Sequence, residues 1–332
     1  MIVTGATGFL GSYVVAALLK AGHTVKGTKR QNSNTSAFDA VLKLELGPQY
    51  TELISHFTWH TIDVLDILAL DDLLNEGDTV FHCAARVAFN KSQVEEMMAI
   101  NVQGTANVVN ACLKKKARKL IHVSSTAALG RNSKGSEISE ETEWDEGGHN
   151  TQYAISKHLS ELEVWRGIEE GLDAAIVNPG IILGYGDGEQ GSCRLFRNIA
   201  NGFSLYTKSI NGFVGVKDVA TVILQLANQS ISAERFLLIS ENLTYQTVFN
   251  TMADTMGVKR PTLEMKKSYR RVLVFLSHIL QFFHSRSSIT PETVRTSLSD
   301  NVYINIKAKT LLHFEFTPIK AVIEGVGKLY LK

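Results

Sequence analysis

The 332-residue chain is poor in cysteine and proline, with 3 and 5 respectively, and has no excess of either charge. Cys83, Cys112 and Cys193 are odd in number, far apart and form no CxxC pair. This argues for reduced thiols in a cytoplasmic compartment and against zinc or any other bound metal. Lys+Arg 34 against Asp+Glu 33 leaves a formal net charge of +1, so there is no global field to hold nucleic acid or anionic lipid. Any phosphate recognition has to be local. A basic n-region is missing too: Ile2 and Val3 follow Met1 directly and a glycine motif comes next, which predicts no secretory signal. The most apolar late stretch, 272–283, is broken by Ser277, His278 and Gln281 and is too short to cross a bilayer. It reads as a helix of a second, smaller unit. What the chain does have is 44% hydrophobic residues, 20% charged residues and 25 Gly, enough for a packed core and about two domains of roughly 150 residues each.

Short β-branched runs alternate with longer helical patterns through the first half, the signature of βαβ units and a parallel sheet. Strands are predicted at 1–3, 23–29, 58–63, 79–83, 120–124 and 173–178, with helices at 8–21, 67–74, 94–115 and 150–170. This rhythm gives an α/β fold, a doubly wound parallel sheet of the Rossmann kind with helices on both faces. After Pro179 the rhythm loosens: 184–192 is a Gly-rich loop, 213–220 reads as a strand feeding a helix, and 236–239 as a strand returning to the sheet. The expected division is a dinucleotide-binding domain of residues 1–178 plus about 212–240, and a smaller, discontinuous α+β domain of 179–211 plus about 241–332.

Thr4-Gly5-Ala6-Thr7-Gly8-Phe9-Leu10-Gly11 puts three glycines at a three-residue spacing between the first strand and the amphipathic run beginning at Tyr13. A tight strand-to-helix turn of this kind needs residues without Cβ, so that the backbone can approach a pyrophosphate and the helix N–H groups can meet its charge. Gly5, Thr7, Gly8, Phe9, Leu10 and Gly11 are therefore the expected phosphate contacts. The second strand should end near the adenosine ribose, where an acid marks NAD and a base admits the 2′-phosphate of NADP. Here Val25-Lys26-Gly27-Thr28-Lys29-Arg30 has no acid before Asp39. NADP is expected, with Arg30 as its reader; NAD is the alternative if Lys29 and Arg30 only form a solvated strand end.

Tyr153-Ala154-Ile155-Ser156-Lys157 places a phenol and an ammonium at i and i+4 on one helix face. The spacing alone is cheap, since Tyr303 and Lys307 repeat it in a strand-like run with no glycine partner. Context separates the two: Tyr153 follows Ser124-Ser125 at the carboxyl end of the fifth strand, where open parallel sheets bind ligands. A free phenol titrates near about 10, and a neighbouring ammonium favours the phenolate.

Glycine loop, serine after a strand and YxxxK, in this order, resemble the extended short-chain dehydrogenase/reductase family, also called the NAD-dependent epimerase/dehydratase family. The likeness continues in Ile62-Asp63-Val64-Leu65-Asp66, Phe81-His82-Cys83-Ala84-Ala85, Asn101-Val102-Gln103-Gly104-Thr105-Ala106-Asn107, Asn178-Pro179-Gly180-Ile181-Ile182-Leu183-Gly184 and Phe213-Val214-Gly215-Val216-Lys217-Asp218-Val219-Ala220. The resemblance implies hydride transfer between a nicotinamide and a carbonyl or secondary alcohol, with Tyr153 as proton donor or base. It further implies that Lys157 binds the nicotinamide ribose, that Ser125 hydrogen-bonds the substrate oxygen, and that Asn101 supports a proton relay or merely holds backbone. By the same resemblance Asp63 and Val64 lie at the adenine, Cys83, Ala84 and Ala85 beneath the cofactor, and Pro179, Gly180, Ile181, Ile182 and Ser192 at the nicotinamide.

Asn178 stands where nucleotide-sugar epimerases commonly carry arginine, and Thr126-Ala127-Ala128 replaces the acidic pair of dehydratases. The helix from Tyr153 through Glu161 to Trp165 looks more like the dihydroflavonol reductase and 3β-hydroxysteroid dehydrogenase branch, which acts on bulky, mostly apolar small molecules. A redox-neutral epimerase or dehydratase, and a non-catalytic NAD(P)-binding sensor, are the alternatives. Many relatives pair two helices into a homodimer, here 94–115 and 150–170 with Val164 and Trp165 on the shared face. His56 and His60 read as surface imidazoles, and the acidic stretch 137–146 as a solvated loop. Lys266, Lys267, Arg270 and Arg271 precede the apolar run and are read as lining an apolar pocket, with a membrane surface as the alternative.

Overall fold

A computed structural model describes residues 1–88, 91–130, 137–146, 150–188, 191–269, 294 and 296–331. Seven parallel strands form the central sheet: β1 (Ile2–Thr4), β2 (Val25–Lys29), β3 (Phe57–Thr61), β4 (Thr79–His82), β5 (Lys119–Val123), β6 (Ala174–Pro179) and a late strand, Glu234–Leu238, labelled β10 below. Their order across the sheet is β10-β6-β5-β4-β1-β2-β3. Strand order reverses between β1 and β4, so the crevice outside their carboxyl ends is the place where such a sheet takes a ligand.

Both faces are covered, which is why the strands read as apolar runs rather than as alternating ones. Helices α1 (Phe9–Lys20), α2 (Ser36–Leu46) and α7 (Val216–Asn228) bury Val14, Leu18, Phe38 and Ile223 against Val3, Phe81, Ile121 and Val177 on one face. On the other face lie α3 (Ile67–Leu73), α4 and α5 (Gln152–Glu169), packed against Ile2, Val80, Leu120 and Ile176. Helix α4 runs over Val94–Met98, widens into a π-turn at Ala99–Gln103 and continues over Gly104–Lys114. The expected single helix is therefore continuous but carries a bulge, a feature that often marks a functional site. Helix α2 was not expected; its apolar stripe is only Phe38, Val41, Leu42 and Leu46.

Beyond β6 the chain forms β7 (Ile181–Leu183), α6 (Arg194–Ala200), β8 (Leu205–Tyr206), β9 (Ile210–Gly215), then α7, β10, β11 (Glu241–Thr244), α8 (Tyr245–Met256) and β12 (Leu263–Glu264). Helices α9 (Ile306–Leu311) and α10 (Ile319–Val326) follow. β11, β9 and β7 make a separate three-stranded sheet, and β12 pairs with β8. These elements share a second core of Leu183, Phe196, Phe213, Met252 and Ile323. The strand expected at 213–220 is thus β9, in the small sheet. Asp218, at the start of α7, ties the two units together by accepting from the Thr317 N–H at 2.8 Å and its hydroxyl at 2.9 Å.

Two surface expectations are corrected. Val164, expected on a pairing face, is fully buried beneath α5, where Gly167 lets α5 and Val109 of α4 approach closely. The stretch 137–146 is not simply a solvated loop, because Glu140 is buried and accepts the β10 N–H of Leu237 at 2.8 Å. The apolar run 272–283, with Arg270 and Arg271, lies outside the described residues. Among the described residues no helix is long and apolar enough to cross a membrane, and no group of His, Cys, Asp or Glu is arranged to hold a metal.

Candidate active site

The glycine loop is dictated by close approach. Gly5 has φ +66°, and a Cβ there would sit 2.7 Å from the Ala84 backbone; at Gly11 it would sit 2.2 Å from the Gly5 carbonyl oxygen. Gly8 caps α1 with its backbone only, no side chain bonds the first N–H groups of that helix, and its first turn has no acid. Uncapped amides at the start of a twelve-residue helix, beside a backbone free of Cβ, are a cradle for a pyrophosphate. Thr7 and Phe9 are half-buried at its rim, and Leu10 is buried beneath it.

At the end of β2, Lys29 lies over the Trp59 ring at 5.5 Å, which leaves Arg30 as the outward cation. Arg30 Nη1 stands 3.8 Å from Glu96 Oε1, and Arg86 Nη1 holds the same oxygen at 2.7 Å. Asp63 Oδ1 accepts the Leu65 N–H at 3.0 Å, and Asn107 of α4 donates to the carbonyls of Val64 (3.0 Å) and Leu65 (3.2 Å). The segment expected at the adenine is therefore pinned to α4. Gly104 permits this, since a Cβ there would come 2.7 Å from the Val64 side chain.

Under the strand ends runs a hydrogen-bond chain that sequence reasoning missed. Thr105 Oγ1 donates to the Asn101 carbonyl at 2.6 Å. Having spent its single proton, it must accept from His82 Nε2 at 3.0 Å, so Nδ1 of His82 accepts from Thr4 Oγ1 at 2.7 Å. Thr4 Oγ1 in turn receives the Ala84 N–H at 3.3 Å. His82 is neutral, its pKa pushed down to about 3 chiefly by burial and then by Lys157. Asn101, on the π-turn, grips the Arg86 peptide with both ends of its amide (2.8 and 2.9 Å) and also donates to Ser156 Oγ at 2.9 Å. Its side chain holds the loop after β4, in which Cys83 and Ala84 are half-buried and Ala85 is exposed.

Ser125 follows β5 in extended geometry and accepts the Ala127 N–H at 3.2 Å. Thr151 caps α5 by accepting the Ala154 N–H at 3.0 Å, which sets Tyr153 in the first turn and Lys157 one turn later. Tyr153 hydrogen-bonds Ser125, and Lys157 Nζ donates to the Val123 carbonyl at 2.8 Å. All three are thereby gathered at the carboxyl end of β5. Burial pushes the Tyr153 phenol above its ordinary value, and the Ser125 hydrogen bond only partly opposes this. Burial pushes Lys157 down to about 8, with Glu161 and then Cys83 opposing it. The expectation that the ammonium draws the phenol down is not met: Lys157 Nζ bonds the Val123 carbonyl, and burial raises the Tyr153 phenol. The second YxxxK is elsewhere, with Tyr303 buried against Leu129 and Ile239, and Lys307 ion-paired to Glu234.

At the far side, Pro179 ends β6, and Gly180 passes so close to Gly212 that a Cβ would lie 2.4 Å from its carbonyl oxygen. Ile181 and Ile182 are half-buried on β7, and Ser192 Oγ donates to the Ile182 carbonyl. Sequence reasoning also missed Tyr330, whose hydroxyl accepts the Gly186 N–H at 2.8 Å and donates to the Gly184 carbonyl at 2.9 Å. Its only signal is an aromatic residue in a C-terminal segment far from the loop it braces.

Residues 1–238 match the family model described as the NAD dependent epimerase/dehydratase family. Sterol demethylase protein B of Methylococcus capsulatus is 28% identical over 292 residues, covering 86% of this chain and 84% of that protein. A cinnamoyl-CoA reductase of Medicago truncatula is 29% identical, covering 71% and 74%. Among solved structures, that of gox2253 superposes with TM-score 0.80 at 28% identity over 97% of this chain and 95% of its own. UDP-glucuronic acid 4-epimerase from Bacillus cereus, solved with UDP-glucuronic acid and NAD, shares the fold at TM-score 0.77 and 19% identity over 99% and 98%.

Proposed function

The chain belongs to the NAD dependent epimerase/dehydratase family and is a nicotinamide-dependent enzyme; from that premise we propose an NADP-dependent reductase or dehydrogenase acting on a carbonyl or secondary alcohol of a bulky, mostly apolar small molecule. The observation that carries this reading is the Ser125, Tyr153, Lys157 cluster, in which a phenol kept protonated by burial is hydrogen-bonded to a serine at the carboxyl end of β5.

Residues 5–11 would hold the pyrophosphate, Arg30 the 2′-phosphate, Asp63 and Val64 the adenine, and the backbone at 83–85, residues 179–182 and Ser192 the nicotinamide side. When bound, the cofactor supplies or takes up the hydride. Tyr153 gives its proton to the substrate oxygen as charge develops there, and Ser125 offers a second donor. Lys157 meets the ribose hydroxyls and keeps a positive charge beside the phenol. Asn101 acts by fixing the Arg86 peptide rather than by touching substrate. The substrate lies between the sheet's carboxyl end and the smaller domain, taken as 179–211 plus about 241–332. Asn178 favours a reductase over a sugar-nucleotide enzyme, because it is fully buried and its Nδ2 is committed to Glu161 and to the Ser125 carbonyl.

The test is nicotinamide absorbance with NADPH or NADH against a panel of bulky ketones and aldehydes, with Tyr153→Phe as control. Carbonyl-dependent NADPH oxidation that the control abolishes is the expected result. Tight cofactor binding without turnover of any carbonyl overturns the reading and moves the redox-neutral epimerase and the sensor ahead.

A further inference from the structure

We propose that Glu161 is a positioning residue that fixes the Ser125 peptide through Asn178 and places a buried negative charge one helical turn from Lys157, so that it acts on both groups flanking Tyr153. This deepens the reductase reading and rests on it for its catalytic meaning. Glu161 is 2% exposed and lies one helical turn after Lys157, on the face of α5 that meets the sheet. Its Oε1 accepts from Asn178 Nδ2, and the same Nδ2 donates to the Ser125 carbonyl at 3.0 Å. One amide on β6 therefore joins the carboxylate to the peptide of the serine. Oε2 stands 3.5 Å from Arg235 Nη1 on β10, and Arg235 is itself anchored by donating to the Glu140 carbonyl. The Ser124 hydroxyl also faces the carboxylate.

A carboxylate this deep persists only if its charge and lone pairs are answered. The partners come from α5, the turn after β5, β6 and β10. Burial raises the Glu161 pKa, and Ser124, Arg235, Asn178 and Lys157 all pull it back. Around Lys157 the second group that opposes its fall, Cys83, helps only as a thiolate. Burial pushes the Cys83 thiol up to about 12 and holds it protonated. His82 and His122, on β4 and β5, are pushed down and neutral. Glu161 is thus the anion that keeps a proton on Lys157, and through Asn178 it also sets where the Ser125 peptide stands.

The test reads both arms. In cofactor-free protein labelled with 13Cε-lysine, the Lys157 signal, assigned by its loss in Lys157→Met, is titrated by NMR. Glu161→Gln is expected to lower the midpoint by about one pH unit or more, while Glu161→Asp restores it. Asn178→Leu leaves the midpoint in place but lowers kcat with little change in KM. In turnover, Glu161→Gln moves the alkaline limb of the reduction profile down by the amount seen by NMR. If Glu161→Gln does not fold, the double variant Glu161→Gln/Arg235→Met removes both charges and is expected to show the same shift. An unchanged Lys157 midpoint in either variant overturns the proposal. Because the titration needs neither cofactor nor substrate, absence of carbonyl turnover would sink the reductase reading and leave the Glu161 result standing.

Discussion

Adding one methyl group at Gly11 separates the phosphate loop's packing from its binding role. A Cβ at this position would lie 2.2 Å from the Gly5 carbonyl oxygen and 3.0 Å from Ala6 Cα, both backbone atoms of the loop. Relief requires α1 and the loop to part by roughly 1 Å, and α1 cannot turn away because Tyr13, Val14 and Leu18 are locked in the core. Overpacking of this kind costs about 1–3 kcal/mol, a fall in Tm of about 2–4 °C per kcal/mol for domains of roughly this size. The same displacement would move the helix N–H groups off a pyrophosphate bound as proposed. Losing about 1–2 kcal/mol of that interaction weakens NADPH binding about tenfold. Gly8→Ala is the paired control. Its Cβ meets only the Gly5 carbonyl oxygen, at 3.1 Å, and points to the exposed side where the cofactor would lie. Tm should stay within about 2 °C, while NADPH affinity still falls. Calorimetric titration with NADPH and a thermal melt of both variants decide the matter. A Gly11→Ala protein that melts and binds like the parent, or a Gly8→Ala protein whose affinity is unchanged, refutes the placement of the cofactor on this loop.

Two further outcomes follow from the charges. Lys157 carries its proton below its pKa of about 8 and loses it above, so reduction should be fully active near pH 7 and fall about tenfold by about pH 9; burial holds the Tyr153 phenol up, so Lys157 titrates first, and a profile flat to about pH 10 would exclude Lys157 as the controlling group. Glu96 competes for Arg30 and Arg86, so Glu96→Gln should raise the preference for NADPH over NADH several-fold and Arg30→Ala should lower it, read as the ratio of the two Kd values; equal ratios in all three proteins would remove Arg30 as the reader of the 2′-phosphate.

The parts of this molecule that its sequence displays are those where sterics or burial leave no choice of residue. Gly5 stands before α1 and Gly11 in its first turn because any Cβ at either collides with backbone, and the inner strands read as apolar runs because both faces of the sheet are covered. Tyr153 and the pair Ser124-Ser125 come together because strand end and helix start can be placed from local pattern, whereas the choice of Ser125 within the pair rests on the family resemblance. Local pattern fails where the partner is remote. Helical spacing puts Lys157 beside Tyr153, yet the atom Nζ selects is the Val123 carbonyl, 34 residues away. The same stripe of α5 continues through Ser160, Glu161 and Val164, all buried, and seen as one stripe it places Val164 in the core rather than on a dimer face.

That stripe also explains why α5 tolerates charge on its buried face. Lys157 and Glu161 face the sheet where an aliphatic pair would pack without penalty, and their cost is offset only because Val123, Asn178 and Arg235 reach them from three separate strands. An apolar core needs only volume, and many sequences supply it. A buried ammonium needs a particular carbonyl, a particular carboxylate and a counter-ion for that carboxylate, contributed here by segments as far apart as Val123 and Arg235. The β10 strand returns to the sheet late in the chain and brings Arg235 to that cluster, so the last strand to join the sheet supplies the counter-ion for a carboxylate placed 74 residues earlier.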